Sequence, residues 1–176
     1  MIEIWNNLDT HHRTGHESGN VQARLLLASS HQTLGYFEEA KCEIIHALQL
    51  DPNSASTYCC LGKLFEDIGD PTQAAEAYRQ ALSLDSSEKE ALSCLLGLGR
   101  HVDVSSEMNQ AQDQLENLAL REQALVGYGL GKAHEHKKNY NAAFSAYALA
   151  NSARREESEP FNHQAFEQFY GTVLVC

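Results

Sequence analysis

Residues 58–81 read Tyr58-Cys-Cys-Leu61-Gly62-Lys63-Leu-Phe65-Glu66-Asp67-Ile-Gly69-Asp70-Pro71-Thr-Gln73-Ala74-Ala-Glu-Ala77-Tyr78-Arg-Gln-Ala81. Tyr58, Leu61, Gly62 and Phe65 follow the i, i+3, i+4, i+7 spacing of one helix face. Gly69-Asp70-Pro71 breaks that helix. Asp70 is placed to cap the next one, with Pro71 in its first turn and Gln73 three residues after the cap. Ala74, Tyr78 and Ala81 then give the apolar stripe of the second helix. Gly62, Ala74 and Ala81 are small enough to let paired helices approach closely, while Tyr58, Phe65 and Tyr78 fill the space around them. The stretch predicts a helical hairpin.

The hairpin recurs. At an offset of 34, Leu27 falls on Leu61, Ala28 on Gly62, His31 on Phe65, Gly35 on Gly69, Ala40 on Ala74 and Ile44 on Tyr78. At an offset of 69, Leu61-Gly62-Lys63 falls on Leu130-Gly131-Lys132, and Ala74, Ala77, Tyr78 and Ala81 fall on Ala143, Ala146, Tyr147 and Ala150. Since 69 is 34 + 35, one further unit lies between them. Four units follow, at 21–54, 55–88, 89–123 and 124–157. In the third, Leu92, Leu95 and Leu96 mark a first helix, and Met108, Ala111, Leu115 and Leu118 a second.

Length and charge bound the function. The chain has 176 residues, 43% of them hydrophobic and 21% charged, which suits one globular domain or a short repeat array. No apolar run approaches the roughly 20 residues of a membrane span. Nor does Met1 open a secretory signal. The 13 basic and 24 acidic residues leave a net charge of −11, with the cations scattered. That disfavours a nucleic-acid backbone and an anionic membrane surface as partners. Cys42, Cys59, Cys60, Cys94 and Cys176 contain no CxxC, so they read as buried reduced thiols of a cytoplasmic protein.

The 34-residue period and the order of small and large residues resemble the tetratricopeptide repeat. Unit two matches nearly every position, with Ser86 where proline is usual. Unit one carries Leu27, Ala28, Ala40, Ile44, Ala47 and Pro52, but Arg24 and His31 where large apolar residues belong. Unit four carries Leu130, Gly131, Ala143, Tyr147 and Ala150, with Gly127 and His134 as departures. The resemblance implies an all-α, right-handed superhelical solenoid of about eight repeat helices with terminal capping helices. Residues 1–20 read as an N-terminal cap and loop, with Ile4, Trp5 and Leu8 as a short apolar stripe and His11 to Asn20 as a polar loop. Residues 158–176 read as a C-terminal capping helix through Phe166, Phe169, Tyr170, Val173 and Leu174. A partner contact or self-association through that helix is the alternative. A narrower likeness, in Leu130-Gly-Lys-Ala-His, Tyr140-Asn-Ala-Ala-Phe-Ser-Ala-Tyr and Ala150-Asn-Ser-Ala-Arg154-Arg155, is to the repeat region that precedes some bacterial sulfotransferase domains.

Catalytic chemistry finds no support. Gly127-Tyr-Gly129-Leu-Gly131-Lys132 lacks the glycine and the Ser/Thr of a phosphate loop, since Val126 and Ala133 stand there. Gly131 reads instead as a packing position, and Gly127 and Gly129 as costs of up to about 1 kcal/mol each to their helix. His12 and His16 share a helix face, but no donor cluster completes a metal site. His134 and His136, two apart, point about 200° from each other. There is no GxSxG, and Glu38-Glu39 and Glu156-Glu157 read as solvated helix faces.

The expected function is therefore a cytoplasmic protein-interaction scaffold that is not an enzyme and has no cofactor or metal. By the resemblance, the first helix of each hairpin lines a concave groove for a peptide or helix. The candidate groove residues are Gln22, Ser29, Gln32 and Thr33 in unit one. Unit two contributes Ser56, Cys59, Lys63, Glu66 and Asp67, and unit four Tyr128, Lys132, Glu135 and His136. Lys63 and Lys132 occupy equivalent places and are set to meet a peptide carboxylate or carbonyl. Alternatively, Lys63–Glu66 and Lys132–Glu135 are ordinary i, i+3 surface pairs. The rival function is a docking or regulatory region for a sulfotransferase whose catalytic domain is absent from this chain.

Overall fold

The computed structural model describes residues 10–158, and their side chains from Asn20 onward. Among these residues eight α-helices follow one another: α1 (Thr10–Thr33), α2 (Phe37–Leu50), α3 (Ala55–Ile68), α4 (Pro71–Leu84), α5 (Lys89–Gly97), α6 (Ser105–Gln114), α7 (Leu120–His136) and α8 (Tyr140–Glu157). A 3-10 turn at Leu115–Asn117 joins α6 to α7. No strand occurs among the described residues. The chain is an all-α repeat solenoid.

The helix boundaries have local causes. Gly69 ends α3 in the left-handed region at φ 86°, which a residue with a Cβ rarely adopts. Asp70 then caps α4: its Oδ1 accepts from the Gln73 backbone N–H at 3.1 Å, and Gln73 Nε2 donates to its Oδ2 at 2.7 Å. Ser54 caps α3 through the Thr57 N–H, and Asn139 caps α8. The missing proline at Ser86 is explained by its neighbour. Asp85 Oδ1 accepts from the Ser87 N–H at 2.8 Å, as Asp51 Oδ1 accepts from the Asn53 N–H at 3.1 Å one repeat earlier. An aspartate turning the chain in this way needs no ring to fix the bend. Asp103 does the same to Ser105 before α6.

Packing follows the small-against-large rule. A Cβ on Gly62 would lie 2.4 Å from the Tyr78 ring, and one on Gly131 would lie 2.4 Å from the Tyr147 ring. The two tyrosines also reach back in the same manner: Tyr78 Oη donates to Glu66 at 2.5 Å, and Tyr147 Oη to Glu135 at 3.1 Å. All four positions are related by the offset of 69. Ala40, Ile44, Ala47, Ala74, Tyr78, Ala81 and Ala150 are fully buried. Helices pair as α1·α2, α3·α4 and α7·α8, and α3, α5 and α7 touch in sequence order.

Unit three departs from the hairpin pattern. Its α5 is only nine residues long and packs far more on α7 than on α6. Gly129 permits this: a Cβ there would meet the Ser93 carbonyl oxygen at 2.6 Å. A Cβ on Gly127 would meet Ala150 Cβ at 3.0 Å. Both glycines are thus close-approach positions on two sides of α7, where the sequence reading assigned them only a conformational cost. Arg79 holds the start of α6 to α4, donating to Glu107 Oε1 and to the Asp103 carbonyl, each at 2.8 Å. Leu118, expected inside the second helix, lies past it in extended backbone, because the chain tightens to 3-10 geometry at Leu115.

Other expectations are corrected too. His11 to Asn20 is helical, forming the first part of a 24-residue α1. Polar composition does not end a helix that lacks a proline, and each added residue gains a backbone bond once the helix is nucleated. Leu27, matched in sequence to Leu61, is 45% exposed, and Val21, Leu25 and Ala28 carry the packed face instead. Arg24 replaces an apolar contact with an ion pair, its Nη1 lying 2.6 Å from Glu43 Oε2 on α2. Cys42 is exposed, contrary to the reading of buried thiols, while Cys59 is buried and Cys60 and Cys94 are half-buried. Ile4, Trp5, Leu8, Phe166, Phe169, Tyr170, Val173, Leu174 and Cys176 lie outside the described residues.

Candidate functional site

The C-terminal ends of α1, α3, α5 and α7 lie side by side and frame three adjoining concavities. The first, about 420 Å³, is lined by Ser29, Gln32, Thr33, Lys63, Glu66 and Asp67. The second, about 640 Å³, runs from Glu66, Gly69 and Pro71 to Gly97, Leu98, Arg100, His101 and His136. The third, about 540 Å³, adds Lys132, Glu135, Lys138 and Tyr140. Glu66 borders the first and second; Gly97, Arg100 and His136 border the second and third. Together they form one trough from unit one to unit four.

Charge is unevenly spread along it. Toward unit one stand Glu66 and Asp67, and Gln32 Nε2 donates to Asp67 at 3.0 Å. Lys63 is committed elsewhere. Its Nζ donates to Glu90 Oε1 of α5 at 2.7 Å, with the two side chains 39% and 53% exposed. The i, i+3 pairing with Glu66 is therefore corrected, since Glu66 accepts from Tyr78 instead. Glu135 likewise accepts from Tyr147. Toward unit four, Arg100, Lys132 and Lys138 converge on the same walls, and none has an ion-pair partner among the described residues. On a chain of net charge −11 this is a local concentration of cations.

Of the sequence candidates, the structure brings Ser29, Gln32, Thr33, Lys63, Glu66, Asp67, Lys132, Glu135 and His136 to the trough walls. Gln22, at the middle of α1, and Ser56, in the first turn of α3, are exposed and do not line it. Tyr128 opens on a separate concavity with Glu90, Arg121 and Arg154, and its hydroxyl donates to Asn151 Oδ1 at 2.5 Å. Cys59 is corrected. It is 4% exposed and joins the core with Leu92 and Leu95, because α5 covers that part of α3. Arg100, His101, Lys138 and Tyr140 escaped the sequence reading. They lie at or beyond helix ends, where helical periodicity gives no direction. Their position just after units' first helices was the available signal.

Cys59, Glu88 and Glu90 bring potential metal-ligand atoms within 4.8 Å of one another. The Lys63 ammonium sits on Glu90, however, and burial pushes the Cys59 thiol up to about 12, against the thiolate a metal needs. Gly127, Gly129 and Gly131 lie inside a helix with their Cα atoms against neighbouring helices, which leaves no phosphate cradle. Among the described residues no helix is long and apolar enough to cross a membrane.

A sequence-ordered stack of helical hairpins with a trough along its first helices defines a repeat scaffold. Residues 21–54 and 55–88 each match the tetratricopeptide repeat, and the chain carries that repeat. Repeats of this family form protein–protein interaction scaffolds. Among similar proteins, Superkiller protein 3 of Schizosaccharomyces pombe is 35% identical over 60 residues, covering 34% of this chain and 4% of that protein. Cellulose synthase operon protein C of Xanthomonas axonopodis pv. citri is 35% identical over 86 residues, covering 49% and 6%. Type IV pilus assembly protein PilF of Pseudomonas aeruginosa is 33% identical over 79 residues, covering 43% and 31%. The chain thus spans less than a third of the length of these relatives. A solved structure of Pseudomonas aeruginosa PilF superposes with a TM-score of 0.68 at 23% identity, over 80% of this chain and 64% of that one, a likeness of fold.

Proposed function

We propose that the trough along α1, α3, α5 and α7 binds an extended peptide or helix of a partner protein without catalysis. The observation that carries this reading is the continuity of the three concavities, each sharing a wall with the next. A chain segment can lie along all of them. Polar walls favour side-chain hydrogen bonding over an apolar anchor. The charge gradient, from Glu66 and Asp67 to Arg100, Lys132 and Lys138, gives the bound segment a direction, since its acidic part is attracted to unit four. Docking to a sulfotransferase in trans is a special case of this reading in which the partner is that enzyme.

The test is affinity capture from the source cell with two versions of the full chain. One is wild type and the other carries Arg100→Glu, Lys132→Glu and Lys138→Glu. The expected result is loss of a specific partner from the variant, with a far-UV spectrum like that of wild type. Retention of every partner by a folded variant would refute the trough. The identity of the lost partner decides whether a sulfotransferase is involved.

A further inference from the structure

A separate cavity of about 360 Å³ opens between α6, the 3-10 turn, α7 and α8. It shares no residue with the trough. Leu115, Leu130, Ala146 and Leu149 give it apolar walls, and Gln112, Glu116 and Ser145 supply polar atoms. His134 also lines it, at 9% exposure.

The repeat shows what this space suits. His134 stands 69 residues after Phe65, and in unit two the phenyl ring of Phe65 is itself core, 8% exposed, with Lys41 Nζ 5.7 Å from its centroid. Unit four has the smaller, polar imidazole at the same place, with an open cavity beside it.

The imidazole has one nitrogen to offer. Nδ1 is fully buried and has no hydrogen-bond partner. A buried orphan acceptor is tolerated better than a buried orphan N–H, so the proton belongs on Nε2. Nε2 has no partner among the described residues. Burial, with Lys137 nearby, holds the ring's pKa below the usual histidine value and so keeps it neutral. The Glu116 carboxylate on the wall repels an anion and accepts from a hydroxyl.

We propose that this cavity binds a phenol ring, whose oxygen accepts from His134 Nε2–H and whose hydroxyl donates to Gln112 or Glu116. The ring lies beside the imidazole, against the apolar walls given by Leu115, Leu130, Ala146 and Leu149. The phenol comes either from a free small molecule or from a tyrosine side chain of a partner.

The test is a heteronuclear NMR titration of the full chain with p-cresol, N-acetyl-tyrosinamide and toluene. The proposal expects saturable shifts of the Leu130, Ser145 and Ala146 amides and of the His134 ring with a phenol, and binding of toluene about tenfold weaker for want of the hydrogen bond. His134→Phe, which keeps an aromatic wall but removes the Nε2–H donor, weakens phenol binding about tenfold, to the level of toluene. Ala146→Leu, which fills the cavity from α8 and keeps the imidazole, abolishes the shifts. If p-cresol binds best, the ligand is a small molecule; if N-acetyl-tyrosinamide does, it is a side chain. The proposal is overturned if neither phenol gives saturable shifts at these residues up to its solubility limit, or if both folded variants bind as wild type does.

Discussion

Gly62→Ala tests the packing rule on which the repeat rests. An added Cβ would stand 2.4, 2.6 and 2.7 Å from three atoms of the Tyr78 ring, well inside van der Waals contact. Tyr78 is fully buried and its hydroxyl is held by Glu66, so the ring cannot swing aside without breaking that hydrogen bond and opening the α3–α4 seam. Overpacking of this kind costs about 2 kcal/mol and the lost hydrogen bond about 1 kcal/mol, while alanine returns about 1 kcal/mol of helix propensity. The net destabilisation is about 2 kcal/mol, a fall in Tm of about 4–8 °C for a chain of this size. Gly131→Ala meets the same distances from Tyr147, but that ring is half-buried and can move toward solvent, so about 1 kcal/mol is expected. Gly97→Ala is the control. Its Cβ would meet only Lys132 Cδ at 3.8 Å, and it should be neutral or stabilise by up to about 1 kcal/mol. Urea and thermal denaturation of the three variants measure the order. If Gly62→Ala equals wild type, or if Gly97→Ala is the most damaging, the close-approach argument is wrong.

Three further outcomes follow from particular contacts. Hydrogen bonds from Gln73, Ser87 and Ser105 hold the Asp70, Asp85 and Asp103 carboxyls below the usual aspartate range. A depressed folded-state pKa contributes stability above the unfolded value near 4 that is lost as pH falls through the folded one, so wild-type stability should decline below about pH 4, less steeply in Asp70→Asn. Alkylation mapped by mass spectrometry should label Cys42 well before Cys59, whose thiol is buried and raised to about 12; equal rates would contradict the packing of α5 on α3. Lys63→Ala should cost under about 1 kcal/mol, and less in high salt, because the pair with Glu90 is largely exposed; a larger, salt-independent loss would mean that Lys63 bears more than this pair.

The hairpins were legible because side-chain size carries them. Gly62 opposite Tyr78 and Gly131 opposite Tyr147 are visible as small and large residues at fixed spacing, and the structure places each pair in contact. The trough was legible where it runs along helices, as at Gln32, Lys63, Glu66 and Lys132. It was hidden at Arg100, His101 and Lys138, since a residue past a helix end has no periodicity to orient it. Burial by a neighbouring repeat was equally hidden. Cys59 and Lys63 are four apart and share a face of α3, yet α5 covers one and leaves the other half-exposed. Leu98 and Val104, both buried, belong to an irregular segment whose fold depends on contacts distant in sequence.

The proposed binding surface is the trough rather than the outer helices. Hydrogen–deuterium exchange of the partner-bound full chain against the free chain tests it most directly. New protection is expected at residues 29–33, 63–67 and 97–101 and at 132–138, with α2 and α4 unchanged. Protection confined to α2, α4 or the exposed face of α8 around Phe144 would contradict it.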